Sequence, residues 1–432
     1  MLHDPGSYTP PLELTDIPLT AVEKDTLKKL GQELAGIAAL PVHREKAELW
    51  QRLNDRNSVR PMVWINEIPW HEMNVNGELT LRTEHSWAQE LELKMRRTIY
   101  QWKHMPADMI VNDYIDCPLA IHSTDFGIIE DVDIVKTDEK IEIVSRHFNI
   151  QIREPEDISR IQMPKVTHNK RMTELTFVTM TDIFKDIIPV KKAGQTHIWF
   201  TPWDYLIRWW GLTEAMMDLM ERPDMVHAAV DRLTDAWMTE LDQFVDQNLL
   251  SLDCSNTRIG SGGYGYVSDL PGKDFDPGHV KPHNMWGCSN AQIFAEVSPD
   301  MHWEFALEHD MRWLSRWGLS YYGCCEGLDK KIHLLKKIPN LRKFSVSPWN
   351  DMDRIVAEAG DDYVLSIKPN PAIFVDEVWS PERARADIQK VMDAAGRTCH
   401  LEFIMKDIST VRYRPQLLWE WAAIAMDLAE KN

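Results

Sequence analysis

Trp317-Gly318-Leu319-Ser320-Tyr321-Tyr322-Gly323-Cys324-Cys325-Glu326 is a short apolar, β-prone run that passes through a glycine straight into two thiols and a carboxylate. A strand that ends in chemistry-bearing side chains is typical of parallel α/β proteins, where functional groups collect at strand C-termini. The pattern repeats on either side. Downstream, the sequence predicts a helix at 329–337, a strand from Lys343 to Val346, a helix from Met352 to Ala359, and a strand from Tyr363 to Ile367. A helix from Pro381 to Ala395, a strand from His400 to Ile404 and a last helix to about Glu430 follow. Upstream lie strand-like Thr196 to Thr201, helices from about Tyr205 to Glu221 and from Pro223 to Asn248, strand-like Leu249 to Cys254, and a helix from Pro299 to Arg316. Such alternation predicts parallel strands with helical crossovers. Its repetition favours an α/β fold of the (β/α)8 TIM barrel type over an open doubly wound sheet, whose G-x-G-x-x-G turn is not evident.

Toward the N-terminus the pattern changes. Leu27, Leu30, Leu34, Ile37 and Leu40 recur at helical spacing between Thr20 and Leu40, and a second helix is predicted from Glu84 to Tyr100. Ala107 to Val111 reads as the first buried strand, and Met109 to about Lys170 as irregular β-rich structure. The expected division is a helical extension at 1–100 and a barrel at 101–432. Gly260-Ser261-Gly262-Gly263-Tyr264-Gly265 matches no nucleotide-binding fingerprint and reads as a mobile loop or lid.

The 432 residues carry a formal charge of −19, so the basic footprint of a nucleic-acid binder is missing. No apolar stretch approaches the ~18 residues of a membrane span, and Met1 to Ser7 lacks the features of an export signal. Six scattered cysteines fit reduced thiols in a cytoplasmic protein. A homodimer is compatible with the fold. Most of the 18 Trp read as core, although an aromatic pocket could also hold a flat ring or a methylated cation.

Cys324 and Cys325 admit two readings, as core thiols or as soft ligands of Zn²⁺, and Cys399 supplies a third thiol beside a β-prone run. Other polar groups follow predicted strands: Asp253 and Asn256, then Trp349 and Asn350, then Lys368. Each has a plain structural alternative, as a helix cap or a surface ion pair.

Phe294-Ala295-Glu296-Val297-Ser298-Pro299, Tyr322-Gly323-Cys324-Cys325, Phe344-Ser345-Val346-Ser347-Pro348-Trp349 and the Cys399 segment together resemble the uroporphyrinogen decarboxylase superfamily, which includes corrinoid-dependent methyltransferases. The resemblance spans roughly residues 55–430 and implies a (β/α)8 barrel. Its decarboxylase members open with a phrase similar to R-P-P-V-W-x-M-R-Q-A-G-R-Y, whose arginines hold substrate carboxylates. Here Arg60-Pro61-Met62-Val63-Trp64-Ile65-Asn66-Glu67-Ile68-Pro69-Trp70-His71 places Glu67 and His71 at the two inner arginines, which favours the methyltransferase branch. That branch implies Zn²⁺ held by a strand-end H-x-C and a distant cysteine. The matching set is Cys325, Glu326 and Cys399, with Cys324 and His283 in reserve, since Tyr322 or Gly323 stands where the pattern has His.

The implied activity is zinc-dependent methyl transfer between a small methylated substrate, or a thiol or folate acceptor, and cobalamin (a corrinoid) on a partner protein. Glu326, Asp253 and Lys368 are the expected catalytic groups, and Asn256, Asn350 and Trp349 the expected cofactor-binding ones. Two alternatives are a lyase acting on another acid, using Asp116, His122 and Lys368, and a non-catalytic barrel that binds an aromatic or quaternary-ammonium compound.

Overall fold

The computed structural model describes residues 15–135 and 145–431. Met1 to Ser7 and part of the stretch between Met109 and Lys170 lie outside the described residues. The described strands are β1 (Met62–Ile65), β2 (Ile115–Pro118), β3 (Ile121–Ser123), β4 (Val132–Val135), β5 (Ser145–Phe148), β6 (Val166–His168), β7 (Val190–Ala193), β8 (Trp286–Ser289), β9 (Leu319–Tyr322), β10 (Leu341–Val346), β11 (Val364–Ile367) and β12 (His400–Met405).

A six-stranded parallel sheet in the order β1-β12-β11-β10-β9-β8 forms the centre. Side chains alternate across it with the period of two that extended backbone imposes. Val63, Ile65, Phe344, Val346, Leu365, Ile367, Leu401, Phe403 and Met405 belong to the large apolar core shared with the crossover helices. The other, inner face carries Met62, Lys343, Ser345, Val364, Ser366, Glu402 and Ile404, and several of these are polar although buried. Polar groups in the middle of buried strands need partners, and the inner face supplies them as described below.

Among the described residues the sheet does not close into an eight-stranded barrel. Beyond β8 it continues only through single parallel bridges, Phe200 to Ser289 and Gln195 to Leu250, and β2 pairs with β7 separately. Two contacts take the place of a ladder here. Both oxygens of Asp253 accept the Trp286 N–H at 3.1 Å. Gly194 lies so close to the neighbouring backbone that a Cβ there would stand 2.1 Å from the Leu249 carbonyl oxygen.

Four local expectations change. β1 falls inside the segment expected to be a helical extension; it pairs with β12 in the register Ile65 to Met405, so the sheet begins by residue 62. Ala107 to Val111 is not a strand; instead Asp108 donates its N–H to the Val63 carbonyl at 2.8 Å and pairs its carboxylate with Arg60 at 2.7 Å. The helix expected at 205–221 divides at Gly211, whose φ of 89° a side chain would resist, into Pro202–Trp210 and Leu212–Glu221.

The fourth concerns the glycine-rich segment, which is buried and runs along the inner face of the sheet. A Cβ on Gly263 would come within 2.4 Å of the Trp50 ring and 2.9 Å of Glu402 Oε2. Glycine is present because the backbone itself fills the space. Trp50 and Leu53, from the helix Val42–Asn54, pack there with Met62, Tyr264, Val364 and Ile404. Asn54 Nδ2 donates to the carbonyls of Tyr264 and Tyr266 at 2.8 and 2.7 Å.

Candidate active site at the strand ends

On the inner face, β12 presents Glu402 and, just past its end, Lys406; β11 presents Ser366 and Lys368; β10 presents Lys343 and Ser345; β9 presents Tyr321. Lys343 Nζ donates to Glu402 Oε2 at 2.7 Å, with both side chains fully buried. The other oxygen of Glu402 accepts the Gly263 N–H at 3.0 Å. One layer nearer the C-terminal ends, Lys368 Nζ donates to Ser366 Oγ at 2.7 Å, the Ser366 carbonyl at 2.9 Å and Tyr321 Oη at 3.1 Å. Ser261 Oγ lies 2.8 Å from Tyr321 Oη and donates to the Gly323 carbonyl at 3.2 Å. All direct partners of Lys368 are neutral oxygens. Burial therefore brings its ammonium down to about 7, even though the more distant Glu402 opposes that shift.

The strand ends themselves carry a charged cluster. Lys406 Nζ is 2.6 Å from Asp407 Oδ2, 3.5 Å from Glu67 Oε2 and 3.6 Å from Cys324 Sγ. Arg258 Nη2 donates to Glu67 Oε1 at 2.7 Å and its guanidinium lies 5.7 Å from the Trp199 ring centre. The Asp407 N–H donates to Glu67 Oε2 at 3.1 Å, and both residues hold left-handed backbone, φ 50° at Glu67 and 56° at Asp407. Burial alone would raise the Glu67 carboxyl, but Arg258 and Lys406 outweigh it and hold that group down to about 2.

Cys324 is buried and Cys325 exposed. Their sulfurs are 3.6 Å apart, and Cys325 Sγ lies 3.5 Å from Asp407 Oδ2. The Cys325 hydrogen bond lowers the Cys324 thiol; burial opposes this and Lys406 adds to it. The Cys325 thiol is raised, first by its contact with Cys324 and then by burial.

The expected zinc ligands do not converge. Cys399 precedes β12, at the N-terminal end of the sheet, whereas Lys406, which touches Cys324, follows the same strand. An extended strand of that length separates its ends by about 20 Å. His283 is likewise on the wrong end, exposed and ahead of β8. Glu326 is fully buried and committed to backbone, accepting from Cys324 N at 2.7 Å and Ala291 N at 3.2 Å. Among the described residues no group of three or more His, Cys, Asp or Glu is arranged to hold a metal ion.

The other expected residues divide clearly. Lys368 lies among the strand-end groups. Asp253 is a buried tie to β8, pushed up to about 6 by burial. Asn350 joins two loops, accepting from Leu328 N at 2.7 Å and Asp329 N at 2.9 Å. Trp349 is 75% exposed on the loop after β10. Asn256 donates to the Ile110 carbonyl at 3.2 Å. Together with Asp116, Ser251 and Thr257 it lines a polar cavity of about 160 Å³ to which none of the thiols contributes. His122 is exposed on β3, paired with Thr167. Lys406, Asp407, Arg258, Tyr321 and Glu402 were absent from the expected set. Lys406-Asp407 follows the apolar run Phe403-Ile404-Met405 as Cys324-Cys325 follows Tyr321-Tyr322, so the strand-end rule could have found it.

With this geometry in hand, comparison with known proteins adds a likeness of fold. No family model and no curated protein matches the sequence. Among solved structures, a methyltransferase from Methanosarcina mazei matches over 89% of this chain and 98% of that one, with a TM-score of 0.50 and 10% sequence identity. At that identity what is shared is the fold, and activity has to be argued from the site. Among the described residues no helix is long and apolar enough to cross a membrane.

Proposed function

We propose that this chain is a methyltransferase that moves a methyl group between a small methylated substrate and a corrinoid carried by a separate protein. The observation that carries the reading is Lys368, a buried ammonium at a strand end that titrates near neutrality and bonds only to neutral oxygens. Removing a methyl group from oxygen or nitrogen leaves a basic heteroatom. A group of pKa about 7 can protonate that atom as the bond breaks and be recharged from water afterwards. Run toward a thiol or folate acceptor, the same amine takes the acceptor's proton.

Lys406, Arg258 and Glu67 form an ion-pair cluster at the strand ends, and Lys406 lies 3.6 Å from the Cys324 sulfur. A corrinoid supplies a cobalt centre that exchanges methyl groups and comes with its own protein. Exposed apolar side chains on the loops after β10, β11 and β12, namely Trp349, Val378 and Tyr413, suit the approach of a second protein there. No step here is routed through zinc, because the donor set expected for it is divided between opposite ends of the sheet.

The test mixes the protein with cob(I)alamin and, in turn, methoxylated aromatics, methylamines, betaines and methyl thioethers, following methylcobalamin formation by absorbance. Turnover with one class is expected, lowered ~10²–10⁴-fold in Lys368→Met. No cobalt methylation with any class, nor demethylation of methylcobalamin toward a thiol or folate, sinks the reading.

A further inference from the structure

We propose that Cys324 and Cys325 form a redox-active vicinal dithiol that hydrogen peroxide closes to a disulfide and a small thiol reopens. The sulfurs are 3.6 Å apart, and among the described residues they belong to no group of three or more His, Cys, Asp or Glu arranged to hold a metal ion. The pair is asymmetric in the way two-step thiol oxidation requires. Cys324 is buried against the Lys406 ammonium at 3.6 Å, which favours its thiolate, while Cys325 is exposed and keeps its proton.

The backbone around them is fixed. Cys324 N–H donates to Glu326 at 2.7 Å, Ser345 Oγ donates to the Cys324 carbonyl at 2.5 Å, and Gly323 turns the chain with φ 96°. Three of the four other thiols are poorly suited. Burial pushes Cys117 up to about 12 and Cys254 up to about 11, and it raises Cys399 as well.

In the first step the Cys324 thiolate attacks one peroxide oxygen. The O–O bond breaks, Cys324 becomes a sulfenic acid, and the departing hydroxide takes a proton to leave as water. The Cys325 sulfur then attacks the sulfenic sulfur, its proton leaves with the hydroxyl as a second water, and the S–S bond forms. Two thiols are oxidised by two electrons and one peroxide is reduced to two waters. Neighbouring Cα atoms stand only ~3.8 Å apart, below the ~4.4 Å of ordinary disulfides, so the closed form is strained and easily reduced by thiol exchange. Closing the pair removes the thiolate that faces Lys406.

Hydrogen peroxide applied to the full-length protein tests this through thiol content and intact mass, independently of methyl transfer. The expected wild-type result is loss of two thiols and two hydrogen masses, mapped to Cys324 and Cys325 and reversed by dithiothreitol. Cys325→Ser, altered at an exposed position, should instead hold a Cys324 sulfenic acid that a cyclic diketone traps. Lys406→Met should slow the reaction roughly tenfold, because the cation beside the Cys324 sulfur is removed. Retention of all thiols while free cysteine is oxidised, oxygen addition without hydrogen loss in the wild type, or oxidation mapped to other cysteines overturns the proposal.

Discussion

The Lys343 ammonium and the Glu402 carboxylate meet at 2.7 Å, and neither is exposed to solvent. Burying two charges carries a large desolvation cost that the contact alone does not recover, so the Gly263 N–H on the second Glu402 oxygen is part of the arrangement. The Trp50 and Trp286 rings complete it, each 5.9 Å from Lys343 Nζ. The pair also joins β10 to β12 across β11, which lies between them in the sheet.

Breaking this pair from one side should therefore be costly. Glu402→Gln leaves Lys343 buried without a counter-charge and should lose about 3–5 kcal/mol of stability, read from urea unfolding midpoints. Lys343→Met combined with Glu402→Leu should lose distinctly less than Glu402→Gln alone. If the double variant is the less stable, the pair is a net source of stability and the desolvation argument fails.

Lys368 makes stability depend on pH. Its folded value, about 7, is below the ordinary 10.5 of lysine, so between those values the unfolded chain binds more protons than the folded one. Stability from this group then rises with pH across that window, by up to about 1.4 kcal/mol per unit. Lys368→Met should remove the slope, which urea titrations at pH 7, 8 and 9 can read. An unchanged slope would show that Lys368 is charged throughout.

Glu67 has the opposite signature in acid. Held at about 2 against an ordinary 4.5, it contributes stability that is present above pH 4.5 and is lost as pH falls toward 2. Glu67→Gln should start less stable at neutral pH, by on the order of 2 kcal/mol, and lose less on acidification. Parallel acid-unfolding curves for the two proteins would contradict the Arg258 and Lys406 pairing.

At Gly263 even one methyl group is too much. Gly263→Ala drives a Cβ to 2.4 Å from the Trp50 ring and should cost about 1–3 kcal/mol. Gly36→Ala is the control: the added Cβ meets nothing within 4 Å and the site is inside the helix Ala21–Ala38, so stability should rise by about 0.5–1 kcal/mol. Equal melting temperatures for Gly263→Ala and the wild type would mean that the segment is loosely packed.

Cys399 gives a prediction about metal. Because it precedes β12 while Cys324 sits beside the residue that follows it, Cys399→Ser should leave the metal content of zinc-supplemented protein unchanged. Elemental analysis of wild type and variant decides the matter, and a loss of zinc in the variant would restore Cys399 as a ligand.

The parallel strands between Leu319 and Met405 were readable within a residue or two, because each is a local apolar run bounded by glycine or polar residues. The same local rule brought Cys324, Cys325 and Lys368 to attention as strand-end groups. It passed over β1, and it took the buried glycines for a lid because composition does not tell a mobile backbone from one packed too tightly for side chains.

What sequence by itself determined here is the order and direction of the strands between Leu319 and Met405, since turn chemistry and hydrophobic period act over only a few residues. Which charges meet was decided by tertiary structure alone. Glu402 reaches Lys343 and Lys406 reaches Glu67 through strand register and the sharing of one face, and these depend on partners far apart in the chain. Cys399 and Cys324 show the same physics in reverse: both adjoin strands, but parallel strands place the residue before one and the residue after another at opposite ends of the sheet.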